Sequence, residues 1–298
     1  METRDLGRES KEFRPNPSIR LEFFRHDEKA KPTEGQPDTT VRLTPKGRVA
    51  ATEAGKNLNP EPEVAVAFGS NRERSVETAM RGMLANQEEI GPDTTLEDIR
   101  ELVAGQVKVG RKDMVSPNLN FDWSGSKEFN EPAMARYAAK DGLRFLVEDS
   151  DQLVEKLKDQ TSTSWSRQAG NIAELIKKYY EILPTWQRVA AEHPEKYAQF
   201  NNEMQRFMGS HQTVTESFLM KVIEKTEGRE AVMKFIESLP DKNGFGFSEG
   251  FTINLIIDDA GRDIVMNYKD RQWTLTPELI NEIINDKKEL DKSVRENK

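Results

Sequence analysis

A chain of 298 residues with 44 Lys and Arg against 52 Asp and Glu carries a net charge of −8. That argues against a general nucleic-acid or anionic-membrane surface, and any anionic ligand must be met by a local cationic pocket. No apolar run approaches a membrane span, and the absence of Cys excludes disulfides, thiolate metal sites and a Cys nucleophile.

Charged residues at 32% and hydrophobic ones at 35% describe a polar-surfaced globular protein, with a cytoplasmic location as the expectation. Residues 1–18 lack the apolar core of a secretory signal and read as a polar tail. Ile19, Leu21 and Phe23 then alternate with Arg20 and Glu22, the two-residue period of a strand. The strand ends in Arg25-His26 and gives way to a polar loop. Thr44-Pro45 predicts a helix start, a hydroxyl cap followed by a proline whose missing N–H costs nothing there. That helix stops near residues 57–62. The short apolar run over residues 63–68 suits a buried parallel strand. Ser70 and the RERSVETAMRGML stretch that follows turn a loop into a helix, and Thr94 or Thr95 caps another helix through Leu102. The order strand, helix, strand, helix predicts an α/β fold.

Residues from about 106 to 165 differ in composition, with Gly, Pro, Asn and Ser around Phe121, Trp123 and Trp165. They read as a helical and loop insertion over the face of the sheet, with helical patterns near 127–139 and 150–158. Residues 166–200 are strongly helical, with an interruption expected at Pro184. A third strand over 205–209 runs into Ser210-His211, and helices follow over 214–225 and 230–239. Strand-like runs over 251–257 and 263–268, joined by Asp258-Asp259-Ala260-Gly261, predict a C-terminal hairpin. Thr276-Pro277 starts a last helix that frays into a charged tail over 291–298. The expectation is one domain over 19–290, a three-layer α/β/α sandwich around a mostly parallel sheet.

Only three His exist, His26, His193 and His211. His193 lies in a polar AEHPEKY segment and reads as a surface residue. The other two each end a strand, where open parallel sheets gather their ligands. Ser70, Arg74 and Thr78 are spaced by four, so they share a helix face once the helix has begun. Arg74 falls in the first turn of that helix, where free backbone N–H groups also favour an anion. Two imidazoles and several guanidiniums at one crevice suit phosphoryl transfer through a His nucleophile.

These residues, in this order, resemble the motifs of the histidine phosphatase superfamily, the phosphoglycerate-mutase-like group. Arg25-His26 matches its RH motif, and Leu43 to Ala51 is similar to its LTxxGxxQA helix. Ser70, Arg74, Thr78 and Ala79 match SxxxRxxxTA. Ile99 to Gly105 resembles LREIxxG, and Gly209-Ser210-His211 resembles the late strand ending in SHG. The likeness covers roughly 19–105 and 205–225. It implies a metal-independent phosphomonoesterase without cofactor, acting on a small phosphorylated substrate. His26 would take the phosphoryl group, Arg25, Arg74 and His211 would clamp the phosphate, and Glu101 would be the acid. A mutase is a variant of the same chemistry, and a phosphate-binding protein that keeps the fold without turnover is the reading from another class. Two positions depart from the pattern. Asp27, followed by Glu28, stands where the family usually has Gly after the first His, and Gln212 stands for the Gly after the second. Carboxylates there would repel a dianion unless they point away or pair with Lys29 or Arg72. Gln212 cannot act as an acid, which favours Glu101, with Glu216 one turn beyond as its rival.

Overall fold

A computed structural model of the chain describes residues 16–106, 114–258 and 261–296. β1 (Ser18–Arg25) leads to α1 (Pro45–Lys56), β2 (Ala65–Gly69), α2 (Glu73–Met83) and α3 (Leu96–Gln106). The Thr44 hydroxyl accepts from the Gly47 amide at 2.9 Å, so α1 begins on the cap its sequence predicts. The middle of the chain is helical: α4 (Lys127–Ala138), the short α5 (Gly142–Phe145), one π-helical turn over Leu146–Ser150, α6 (Asp151–Leu157), α7 (Trp165–Glu192) and α8 (Pro194–Tyr197). β3 (Glu203–Ser210), α9 (Val214–Glu227) and α10 (Arg229–Ser238) follow. The chain closes with β4 (Gly250–Asp258), β5 (Gly261–Tyr268), β6 (Arg271–Leu275) and α11 (Pro277–Glu296).

The six strands lie in the order β2-β3-β1-β4-β5-β6. β1 and β2 both run parallel to β3, while β4, β5 and β6 each run antiparallel to the strand before them in the sheet. The expected mostly parallel sheet is therefore corrected to a mixed one. Connection length accounts for the last three strands: β4 is joined to β5 and β5 to β6 by tight turns, which only antiparallel pairing allows, while β4 itself follows α9 and α10 and enters the sheet antiparallel to β1. The expected hairpin is a three-stranded meander. β6 escapes sequence detection because its sole buried residue is Leu275.

Side-chain parity assigns the two faces. Ile19, Leu21 and Phe23 of β1 enter one apolar cluster with Met208 and the buried residues of α7, α9 and α11. Phe24 and Phe207 enter the other, with Val76, Met80 and Met83 of α2 and Leu96, Ile99 and Val103 of α3. The parallel part of the sheet is thus buried on both faces, as parallel pairs require, whereas β4, β5 and β6 alternate buried with half-buried or exposed positions. α7 runs straight through Pro184, contrary to the expected interruption. Tyr179, Leu183, Trp186 and Ala190 are buried on both sides of the proline, and this packing holds the helix together despite the lost N–H. His193 ends α7 and is exposed, as its polar context predicts. Two boundaries also shift. Ser18, expected in the N-terminal tail, is the first residue of β1, and α11 continues to Glu296 with Val294 buried, so most of the expected charged tail is packed helix. Residues 1–15, 107–113 and 297–298 of the expected tails and insertion, and Asp259-Ala260 of the hairpin turn, lie outside the described residues. Among the described residues no helix is long and apolar enough to cross a membrane.

Candidate active site

β1 and β3 are neighbours in parallel register, with Arg25 opposite Ser210. The next residue on each strand is a histidine, so the pairing itself brings the two imidazoles together. The His26 amide donates to the Ser210 carbonyl at 2.9 Å, extending the ladder by one bond beyond the strand. The ring centroids lie 5.1 Å apart, inclined by 69°. β2, on the far side of β3, delivers Ser70 and the start of α2 to the same end of the sheet.

The His26 ring is fixed through Nδ1, which lies 2.7 Å from the Asp27 carbonyl oxygen. A carbonyl only accepts, so Nδ1 carries the proton and Nε2 keeps its lone pair. Arg74 Nε donates to that Nε2 at 3.2 Å. Burial, and then the Arg74 charge, pull the His26 pKa down to about 3, so the ring stays neutral across the physiological range. His211 Nε2 lies 2.6 Å from the Ser70 hydroxyl. Burial also lowers its pKa well below the ordinary value, with the neighbouring His26, Arg72 and Arg74 adding to the effect. Ser70 is itself held in place, since its amide donates to the Ser75 hydroxyl at 3.0 Å.

Arg74 sits in the first turn of α2, as its spacing from Ser70 predicts, and is 4% exposed. Thr78, one turn on, accepts from the Asp27 amide at 3.2 Å and donates to the Arg74 carbonyl at 2.8 Å. The residues of the SxxxRxxxT spacing thus have separate tasks: Ser70 sets His211, Arg74 reaches His26, and Thr78 anchors the turn after His26. Arg25 donates through Nη1 to the Phe245 carbonyl, and its guanidinium lies 4.5 Å from the Phe247 ring centroid. Its buried Nε has no hydrogen-bond partner among the described residues. Arg25, His26, Arg74 and His211 line one cavity of about 370 Å³.

The two departures from the family pattern have structural explanations. Asp27 is buried and turned aside, accepting from the Glu28 amide at 2.6 Å and from the Ser248 hydroxyl at 2.7 Å, and it does not line the cavity. Gln212 accepts from the Tyr137 hydroxyl at 2.5 Å and donates to the Phe245 carbonyl at 3.3 Å. Glu28 does line the cavity, with Lys46 3.6 Å away.

Glu101 is not brought to this site. It is exposed on α3 and does not line the cavity. The reason lies in helix phase: Leu96, Ile99 and Val103 form the buried stripe of α3, which leaves 101 on the solvent side. Glu216 is buried on α9 behind the cavity, accepting from the Phe245 amide and, at 2.9 Å, from the Thr215 hydroxyl. Burial pushes its carboxyl up to about 7.

The residue that sequence reasoning missed is Asp38. Its carboxylate accepts from Arg72 Nε at 2.6 Å and from Arg74 Nη2 at 2.9 Å through one oxygen. The other oxygen accepts from Arg74 Nη1 at 3.1 Å and Lys29 Nζ at 3.2 Å. These hydrogen bonds hold its pKa below the ordinary carboxylate range, against the opposing effect of partial burial. Asp38 lies in a polar loop with no periodicity and no motif, so no local signal marks it.

No protein-family model matches the chain, and no curated protein matches it. Solved structures of similar shape exist. One, described as mycobacterial hydrolase 2, has a TM-score of 0.45 at 14% identity over 90% of this chain and 97% of that one. A mycobacterial glucosyl-3-phosphoglycerate phosphatase has a TM-score of 0.42 at 15% identity, over 80% and 90%. A mutant phosphoserine phosphatase of Entamoeba histolytica, in complex with phosphoserine, has a TM-score of 0.37 at 15% identity, over 83% and 94%.

Proposed function

We propose that the protein is a phosphomonoesterase of the histidine phosphatase type, working without a metal through a phosphohistidine on His26. The observation that supports this reading is the convergence at His26: a neutral ring, proton on Nδ1, lone pair on Nε2, with Arg74 3.2 Å and a second imidazole 5.1 Å away between centroids. In the proposed step the Nε2 lone pair attacks phosphorus and the bond to the ester oxygen breaks. Arg25, Arg72 and Arg74 neutralise the non-bridging oxygens, and His211 donates to them. Water then attacks phosphorus, the P–N bond breaks, and inorganic phosphate leaves.

The leaving oxygen needs a proton. Asp38 and Glu28 are the carboxylates that line the cavity among the described residues, and Asp38 is the one held against the cations. A phosphoryl group that takes over Arg72 and Arg74 strips Asp38 of the partners that keep it ionised, and its proton affinity rises. Asp38 thereby takes the acid role that the resemblance gave to Glu101. The same contact favours the competing reading, a phosphate-binding protein without turnover, because an internal carboxylate already occupies the clamp. Hydrolysis of p-nitrophenyl phosphate in the presence of a chelator decides between them. The enzyme reading expects turnover that His26→Ala abolishes, whereas no turnover by either protein, with saturable phosphate binding, sinks it.

A further inference from the structure

We infer that the site selects phosphomonoesters whose alcohol carries a flat aromatic ring, an inference that rests on the phosphatase reading and deepens it. Beside the cations Arg25, Lys29, Arg72 and Arg74, the cavity is lined by the large apolar and aromatic side chains Phe121, Trp123, Met134, Tyr137 and Phe247.

The aromatic side begins where the chemistry ends. The Phe121 ring lies 6.2 Å from that of His211, which lies 5.1 Å from that of His26. An ester bound with its phosphorus at His26 Nε2 therefore has the Phe121 ring one imidazole away from the phosphate clamp. From Phe121 the wall continues to Trp123 at 4.8 Å and to Tyr137 at 6.2 Å between centroids, the latter pair edge to face. Both guanidiniums at the boundary also lie against rings: Arg72 is 5.5 Å from the Phe121 centroid and Arg25 is 4.5 Å from that of Phe247. These contacts couple phosphate binding to the position of the wall.

The wall is also incomplete. Phe247 is 50% exposed and Met134 48% exposed, and both border the cavity. Large apolar side chains left half in water at the mouth of a cavity gain most from a ligand that covers them. An aromatic ring does so in offset or edge-to-face geometry, and the flexible Met134 thioether adapts to its rim. The Gln212 amide, which also lines the cavity, is tied to Tyr137 and Phe245 and holds the wall in place.

Benzyl phosphate and ethyl phosphate release alcohols of similar acidity and differ in the ring, so their kcat/KM ratio isolates the wall. The expected preference for benzyl phosphate is about 10- to 100-fold, the range for covering one ring in a preformed pocket. The ratio is expected to fall towards one in Phe247→Ala and in Met134→Ala, two exposed positions whose truncation spares the core. Equal cleavage of the two esters by the wild type overturns the inference and leaves the phosphatase reading standing. Failure to cleave any ester, p-nitrophenyl phosphate included, overturns the phosphatase reading itself. In that event calorimetric titration with benzylphosphonate and ethylphosphonate still tests the wall: tighter binding of the benzyl compound, reduced in the same variants, supports it, and equal affinity refutes it.

Discussion

Replacing Asp38 by Asn separates the two roles given to this carboxylate. Three cations hold it, with four contacts between 2.6 and 3.2 Å. The side chain is 47% exposed, so water screens each pair and each is worth about 0.2–1 kcal/mol. Three such partners together amount to about 1–2 kcal/mol that a phosphate must overcome to enter the clamp. At about 1.4 kcal/mol per factor of ten, Asp38→Asn is expected to tighten inorganic phosphate by about 5- to 30-fold. The assay is competitive inhibition by phosphate, backed by calorimetric titration that needs no turnover. If Asp38 is also the acid, its loss falls hardest on alcohols that leave poorly. kcat for ethyl phosphate should drop by about 10²- to 10⁴-fold more than kcat for p-nitrophenyl phosphate, whose phenolate departs without a proton. Phosphate binding that is unchanged or weaker in Asp38→Asn refutes the competition, and equal losses for both esters refute the acid role.

Further outcomes follow from the buried groups around the site. Glu216 is protonated more readily in the folded chain, with its carboxyl raised to about 7. Its contribution to stability is therefore full below its unfolded pKa of about 4.5 and is lost as pH rises through about 7. The loss is about 3 kcal/mol at most. Glu216→Gln should flatten this alkaline limb, raising Tm relative to wild type at pH 8 more than at pH 5, and parallel curves of Tm against pH would contradict it. His26 has the opposite sign. It is held at about 3, so the unfolded chain takes up a proton first as pH falls below about 6.5, and stability drops on that side; His26→Gln should make the acid limb shallower in the same scan. Gly209→Ala would press a methyl group into the Ser75 carbonyl of α2, inside van der Waals contact. Overpacking of this kind costs about 1–3 kcal/mol and should lower the denaturant midpoint; an unshifted midpoint would show that α2 can yield.

The parallel half of the fold was legible in the sequence because its elements carry motifs and strong periodicity. β1, α1, α2 and β3 fall within a few residues of the expected positions, and strand adjacency then brings Arg25, His26, Arg74 and His211 together without further assumption. The antiparallel half was only partly legible. Arg271–Leu275 is a five-residue edge strand whose apolar positions are only the half-buried Trp273 and the buried Leu275, too short a pattern to stand out from its polar neighbours. Pro184 misled because local propensity cannot see the packing on both sides of it. Glu101 matched a motif by spacing, but the direction of a helical side chain follows the apolar stripe, and the stripe Leu96, Ile99, Val103 was there to be read. Asp38 was illegible for a different reason: a loop carboxylate declares its role only through long-range partners, and Arg72 and Arg74 lie more than thirty residues away.

The account stands on Nε2 of His26 as the atom that accepts the phosphoryl group. Rapid mixing with p-nitrophenyl phosphate, an alkaline quench that preserves phosphohistidine, and peptide mass spectrometry test this directly. The expected result is a phosphoryl adduct on the peptide carrying His26, formed within the first turnover and absent from His26→Ala. An adduct on another residue, or undiminished turnover by His26→Ala, contradicts it.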